Sequence, residues 1–267
     1  VFAGEMTVAG SASINSEGHS STGMDSGTTF SMGNQLTFSG SGELDNGMTV
    51  SLSFVLDQGD DGNTVGASAT NKIGGTAPFD SHSVTVSSDA MGTLVFAGEG
   101  GSSAASSIDT TAAGDVWDSF DGKKGHNGGI AGVAVTDSGP GDNAFFYTLP
   151  SMVDGLAVNA SYKPQGSGAD SALGYGVAYT GVEGLAVHYA TTDIEGATVA
   201  LTGDQTVLKA TYAYGPVTVG YSNSEVDMGD TTLATDQETT SYAISYTVSD
   251  AISVTYGTEE IDKGSVA

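Results

Sequence analysis

The chain is predicted to be all-β, a transmembrane antiparallel β-barrel, on three observations. Apolar residues recur at every second position in many short segments. One of the two faces so generated carries no charge, and short and long connections alternate from one end to the other. A helix would scatter such residues around a cylinder, whereas a pleated strand puts them on one side.

The segments follow in order. Met6, Val8, Gly10, Ala12 and Ile14 share one face, then Leu36, Phe38, Gly40, Gly42 and Leu44, then Met48, Val50, Leu52, Phe54 and Leu56. Val84 and Val86 precede a turn that leads to Leu94 and Phe96, and later come Phe145, Tyr147 and Leu149. Leu156, Val158, Ala160 and Tyr162 are followed by Leu173, Tyr175, Val177 and Tyr179, then by Leu185, Val187 and Tyr189. Leu208, Ala210, Tyr212 and Tyr214 lead to Val217, Val219 and Tyr221. Tyr242, Ile244, Tyr246 and Val248, then Ile252, Val254 and Tyr256, complete a set of thirteen.

The alternate positions are small and polar, as at Thr37, Ser51, Asn159, Ser161, His188, Thr211 and Thr255. They also hold the charges Glu43, Lys163 and Lys209, which are expected on the wall of an aqueous interior. A Lys facing lipid at mid-bilayer costs about 2–4 kcal/mol, so a face cleared of charge is what hydrocarbon demands. Alternation alone also suits a two-sheet sandwich, and the connections decide between the two. Turns at 45–47, 88–92, 150–155, 181–184, 215–216 and 249–250 interleave with links at 15–34, 57–82, 99–142, 164–172, 190–206 and 224–240. Tight turns on one rim and long loops on the other produce that order. Tyr147, Tyr162, Tyr179, Tyr189, Tyr214, Tyr221, Tyr242 and Tyr256 are expected toward strand ends, where amphipathic rings favour the water–lipid boundary.

Charge and composition narrow the chemistry. The 32 acidic residues stand against 6 Lys and no Arg, a net charge of −26, which argues against nucleic-acid binding. The chain has no Cys, hence neither disulfides nor thiolate metal sites. Val1-Phe2-Ala3 would suit the end of an export signal. His19, His82 and His126 fall in predicted links and His188 on the polar wall, with no metal spacing and no Ser-His-Asp set, so catalysis is not expected. Asp57, Asp60, Asp61 and Asn63 form an oxygen-rich group that would suit loop-bound calcium, although solvated loop charge reads better and the spacing is not that of an EF-hand. Glu225, Asp227 and Asp230 form a similar loop group, and no other cofactor is expected.

At Asn143-Ala144-Phe145-Phe146-Tyr147-Thr148-Leu149-Pro150, then Gly155-Leu156 and Tyr162, the chain resembles the general bacterial porins of Gram-negative outer membranes. Leu36 to Leu52 and Val84 to Gly98 look similar too. The resemblance implies a homotrimer of 16-stranded barrels in the outer membrane, in contact with membrane lipid and lipopolysaccharide, each passing small hydrophilic solutes by diffusion. It also implies that the third external loop, here 99–142, folds inward and narrows the channel. Glu99, Asp109, Asp115, Asp118 and Asp121 would then concentrate cations at the narrowing, because rings of carboxylates select by sign. Trp117 and Phe120 argue for packing of that loop.

The chain departs from the family in two ways. It has no Arg, and Phe146 stands where the motif often has an inward Arg, with Lys163 and Lys209 as partial substitutes. Thirteen segments is an odd number, whereas single-chain bacterial barrels are even, so residues 1–267 read as one domain expected to need about three more closing strands. A secreted acidic structural or adhesive β-protein, such as a surface-layer component, is the alternative, and solubility without detergent would mark it.

Overall fold

The structure is a computed structural model that describes residues 6–19, 27–57, 81–108, 143–164, 171–196, 202–229, 237–249 and 252–263. Among the described residues thirteen strands are found: β1 Met6–His19, β2 Gly27–Glu43, β3 Thr49–Asp57, β4 Ser81–Ser88, β5 Gly92–Glu99, β6 Ala144–Thr148 and β7 Leu156–Lys163. They continue as β8 Ser171–Tyr179, β9 Leu185–Glu195, β10 Gly203–Tyr214, β11 Val217–Met228, β12 Gln237–Ser249 and β13 Ile252–Lys263. All belong to one antiparallel meander in which each strand pairs with its sequence neighbours. Among the described residues there is no second sheet, and strands make extended contact only with their neighbours. Two stacked sheets are thereby excluded.

The pairing keeps the predicted face in register across the ladder. Val217, Val219 and Tyr221 oppose Tyr246, Ile244 and Tyr242, and Ile244 in turn opposes Tyr256. Leu52 opposes Val84, which opposes Phe96, which opposes Phe145. This apolar face is the uncovered one: Ile244 is 47% exposed, Val254 60% and Tyr256 73%. Buried residues lie on the opposite face and are small or polar, among them Ala97, Ala144, Ala172, Ala190, Val207, Ser161, Thr192 and Ser222. The molecule is therefore apolar outside and polar within, the reverse of a water-soluble domain.

Four predicted links prove shorter, because strands run on into them. β1 and β2 extend to the pair His19–Gly27, β8 begins at Ser171, β9 and β10 reach Glu195 and Gly203, and β11 and β12 reach Met228 and Gln237. The link 57–82 also gives up Asp57 to β3 and Ser81 and His82 to β4, so His19 and His82 lie on strands, as do Glu225 and Asp227. The strand extensions also limit the rule of an uncharged face. Beyond Tyr189 the same side of β9 carries Thr191, Asp193 and Glu195; beyond Tyr221, β11 carries Asn223, Glu225 and Asp227; beyond Tyr242 and Tyr256 stand Glu238 and Glu260. These four tyrosines are thus mid-strand, and they mark where hydrocarbon-compatible side chains give way to carboxylates. Tyr221 and Tyr242 meet there with ring centroids 5.2 Å apart.

The short rim is set by tight turns. Gly155 has φ +74°, and its carbonyl accepts the Thr180 N–H at 2.7 Å from the adjoining turn. A Cβ at Gly155 would collide with the backbone nitrogen of Gly181, so the two turns approach this closely only through glycine. The Tyr147 hydroxyl closes a third turn by donating to the Met91 carbonyl at 2.5 Å.

Candidate functional site

The polar face is built from residues two apart on each strand, so its chemistry follows the ladder register. Phe146 stands on it between Val95 and Ser161; Ser161 adjoins Gly174, which adjoins Thr192, which adjoins Gln205. One row on, Gly176 adjoins Ala190 and Ala190 adjoins Val207. Glycine and alanine at consecutive inner positions leave a shallow trough along the wall.

Residues 101–108 lie in that trough. Ala104 and Ala105 are 0% exposed and pack against Ala190 and Val207, with Ile108 alongside. The Ala104 N–H donates to Ser161 Oγ at 2.8 Å, and the Ala105 N–H donates to Thr192 Oγ1 at 3.3 Å. A Cβ at Gly174 would stand 2.6 Å from Ser161 Oγ and 3.0 Å from the Ala104 methyl, so a side chain at that position is incompatible with the docked segment. The segment also holds its own shape. Ser103 N–H donates to Ser106 Oγ at 2.8 Å, Ser106 N–H returns to Ser103 Oγ at 3.0 Å, and Ser107 Oγ donates to the Ala104 carbonyl at 2.8 Å.

The predicted site residues are distributed as follows. Glu99 ends β5 at a bulge in the β4–β5 pairing, with its carboxylate 3.9 Å from Nδ1 of His82, whose ring stacks on Phe54. Glu43 is exposed at the end of β2, opposite Thr49. Lys163 ends β7 opposite Ala172, and Lys209 is cross-strand neighbour to both His188 and Ser222. Glu43, Lys163 and Lys209 stand on three different strands, β2, β7 and β10. Asp109, Asp115, Asp118, Asp121, Trp117 and Phe120 lie outside the described residues. Of the oxygen-rich group, Asp57 ends β3, while Asp60, Asp61 and Asn63 lie outside the described residues, as do His126 and Asp230. Among the described residues no cluster of three or more metal-ligating side chains occurs.

Sequence reasoning missed the docking set, Ala104, Ala105, Gly174 and Thr192. Its signal was present as a run of small residues at 100–107 facing glycines at inner positions of β8. The partners, however, are 57 and 87 residues away along the chain, beyond the reach of local periodicity.

Beside the docked segment the polar face opens into a recess of about 320 Å³. Ser53, Ser83, Val95, Glu99 and Phe146 line it from the β3–β6 wall, and Ser102 and Ser107 from the segment.

An exposed apolar belt bounded by tyrosine, around a polar wall with a docked segment, defines a membrane-spanning β-barrel with an aqueous interior. The sequence matches the Gram-negative porin family over residues 2–266. The chain belongs to that family, and its place is the bacterial outer membrane. Solved structures agree on the fold. OmpT with loop L8 deleted, from Vibrio cholerae, superposes with a TM-score of 0.63 at 17% identity, covering 96% of this chain and 82% of that one. OmpF of Salmonella typhi, solved with daunomycin, gives 0.69 at 14% identity, covering 95% and 78%. An engineered variant of the Rh. blastica porin gives 0.50 at 16% identity, covering 96% and 94%. No curated protein matches the sequence.

Proposed function

We propose that this porin conducts small hydrophilic solutes and ions by passive diffusion and prefers cations. Conduction rather than catalysis suits a wall of Ser, Thr and Asn with few charges. The observation that carries the reading is the docking of Ala104 and Ala105 on the inner wall, with Glu99 at the root of the same segment. The link 99–142 begins on that wall, and Asp109, Asp115, Asp118 and Asp121 follow in its sequence as the carboxylates of the proposed narrowing. Carboxylates beside a low-dielectric wall attract counterions more strongly than in bulk water. The wall opposes them weakly, since the chain has no Arg and 6 Lys in all. Three such barrels would associate as a homotrimer in contact with lipid and lipopolysaccharide. A secreted adhesive protein has no use for an uncovered apolar belt.

Reversal potentials test the reading. Purified protein in a planar bilayer under a tenfold KCl gradient is expected to show a potential of the sign set by potassium, and a chloride-directed potential would refute the preference.

A further inference from the structure

We propose that the recess between the β3–β6 wall and residues 100–107 is a binding subsite for small organic cations that carry an apolar group. It rests on the cation-preferring channel of the preceding section and adds to it a class of solute.

The recess combines two chemistries that inorganic ions do not need together. Glu99 supplies one carboxylate, 36% exposed, which lines the recess together with Val95 and Ala97 of the same strand. The His82 imidazole, which also lines the recess, stands with Nδ1 3.9 Å from this carboxylate, too far for a hydrogen bond, so the carboxylate keeps its acceptor capacity for a ligand. Phe146 places an aromatic ring on this face, a position from which its strand neighbours Phe145 and Tyr147 point away. A phenyl ring turned into an aqueous lumen gains nothing from water; its face offers partial negative charge to a cation and apolar area to a hydrocarbon group. Val95, its direct cross-strand partner, extends the apolar side. Ala97 and Ala144, paired and nearly fully buried, form a floor low enough to give the recess its depth.

The hydroxyls of Ser53, Ser83 and Ser102 complete the rim and can replace water around an ammonium or guanidinium head. Among the described residues no Lys lines the recess. A volume of about 320 Å³ sits at the small end of ligand sites, which suits a solute of about one ring. An inorganic cation would use Glu99 alone and leave Phe146 idle. An amine with an aryl or branched alkyl group uses both.

Block of single-channel potassium current tests this with the full chain in planar bilayers. Benzylammonium is expected to halve the current at about one-tenth the concentration of ethylammonium, a ratio set by the ring contact. Phe146→Leu, which keeps an apolar side chain and removes the ring face, is expected to bring the two blockers within about twofold. Phe146→Tyr should retain the tenfold ratio. Glu99→Gln should weaken block by both amines at least about fivefold. Equal block by the two amines in the wild-type channel, or an unchanged ratio in Phe146→Leu, overturns the subsite. If Phe146→Leu yields no channels, the wild-type ratio and Glu99→Gln decide alone. A cation-directed reversal potential in the same membranes without selective block sinks only the subsite, whereas an anion-directed potential sinks the reading beneath it.

Discussion

At Gly174 the lack of a side chain determines where residues 101–108 can lie. The docked segment is held by two N–H to hydroxyl bonds, each worth about 0.5–1.5 kcal/mol net, and by a few buried methyl groups. Overpacking at such a contact costs about 1–3 kcal/mol, the same order as the anchorage. Gly174→Val is therefore expected to lift the segment from the wall while leaving the ladder intact. The chain has no cysteine, so an Ala105→Cys, Thr192→Cys pair would report the contact cleanly. A disulfide is expected to form in that pair, and its yield should fall severalfold when Gly174→Val is added. Equal yields would show that the glycine has no such role.

At the scale of the strand, β12 shows how one element serves two solvents at once. Tyr242, Ile244, Tyr246 and Val248 face lipid, while Ser241, Ala243 and Ser245 face the interior. Ile244→Lys is expected to cost about 2–4 kcal/mol in urea-titrated folding into lipid vesicles, whereas Thr218→Lys, on the polar face of the neighbouring β11, should cost under about 1 kcal/mol. Similar losses at the two sites would contradict the assignment of faces. This part of the fold was legible from the sequence, because hydrocarbon imposes a two-residue rhythm that any window of seven residues displays. What was not legible was where strands end. Past Tyr221, the outward side of β11 passes to Asn223, Glu225 and Asp227 while Val226 is buried on the inner side, so the outward apolar rhythm ends while hydrogen bonding does not. Glu225 and Asp227 thus carry a loop signature in the sequence although each has a cross-strand partner. The docking of residues 101–108 was illegible for a related reason: small residues carry no rhythm, and their partners come from β7 and β9.

Across the whole molecule, charge is arranged by height. The belt has none, the polar wall has a few charges of both signs, and the strand extensions above the tyrosines are acidic. In register across β9, β10 and β11, Asp193, Asp204 and Asp227 stand side by side and exposed, and Glu225 opposes Glu238 on the next pair. Directly facing like charges each cost roughly 0.2–1 kcal/mol. Exposed charges are relieved by dissolved ions, whose screening reach shrinks from about 10 Å at 0.1 M to about 3 Å at 1 M. Dilution should therefore act on this rim as a gentle denaturant. Fraying is expected to begin at the loop-side ends of β9 to β11, seen as faster amide exchange at Asp193, Asp204 and Asp227 in 10 mM than in 1 M salt. Exchange at Ile244, deep in the belt, should hold constant. Equal rates at both salt levels would mean the carboxylates do not strain the rim, whereas the expected pattern would make brine part of what keeps the mouth of this barrel knitted.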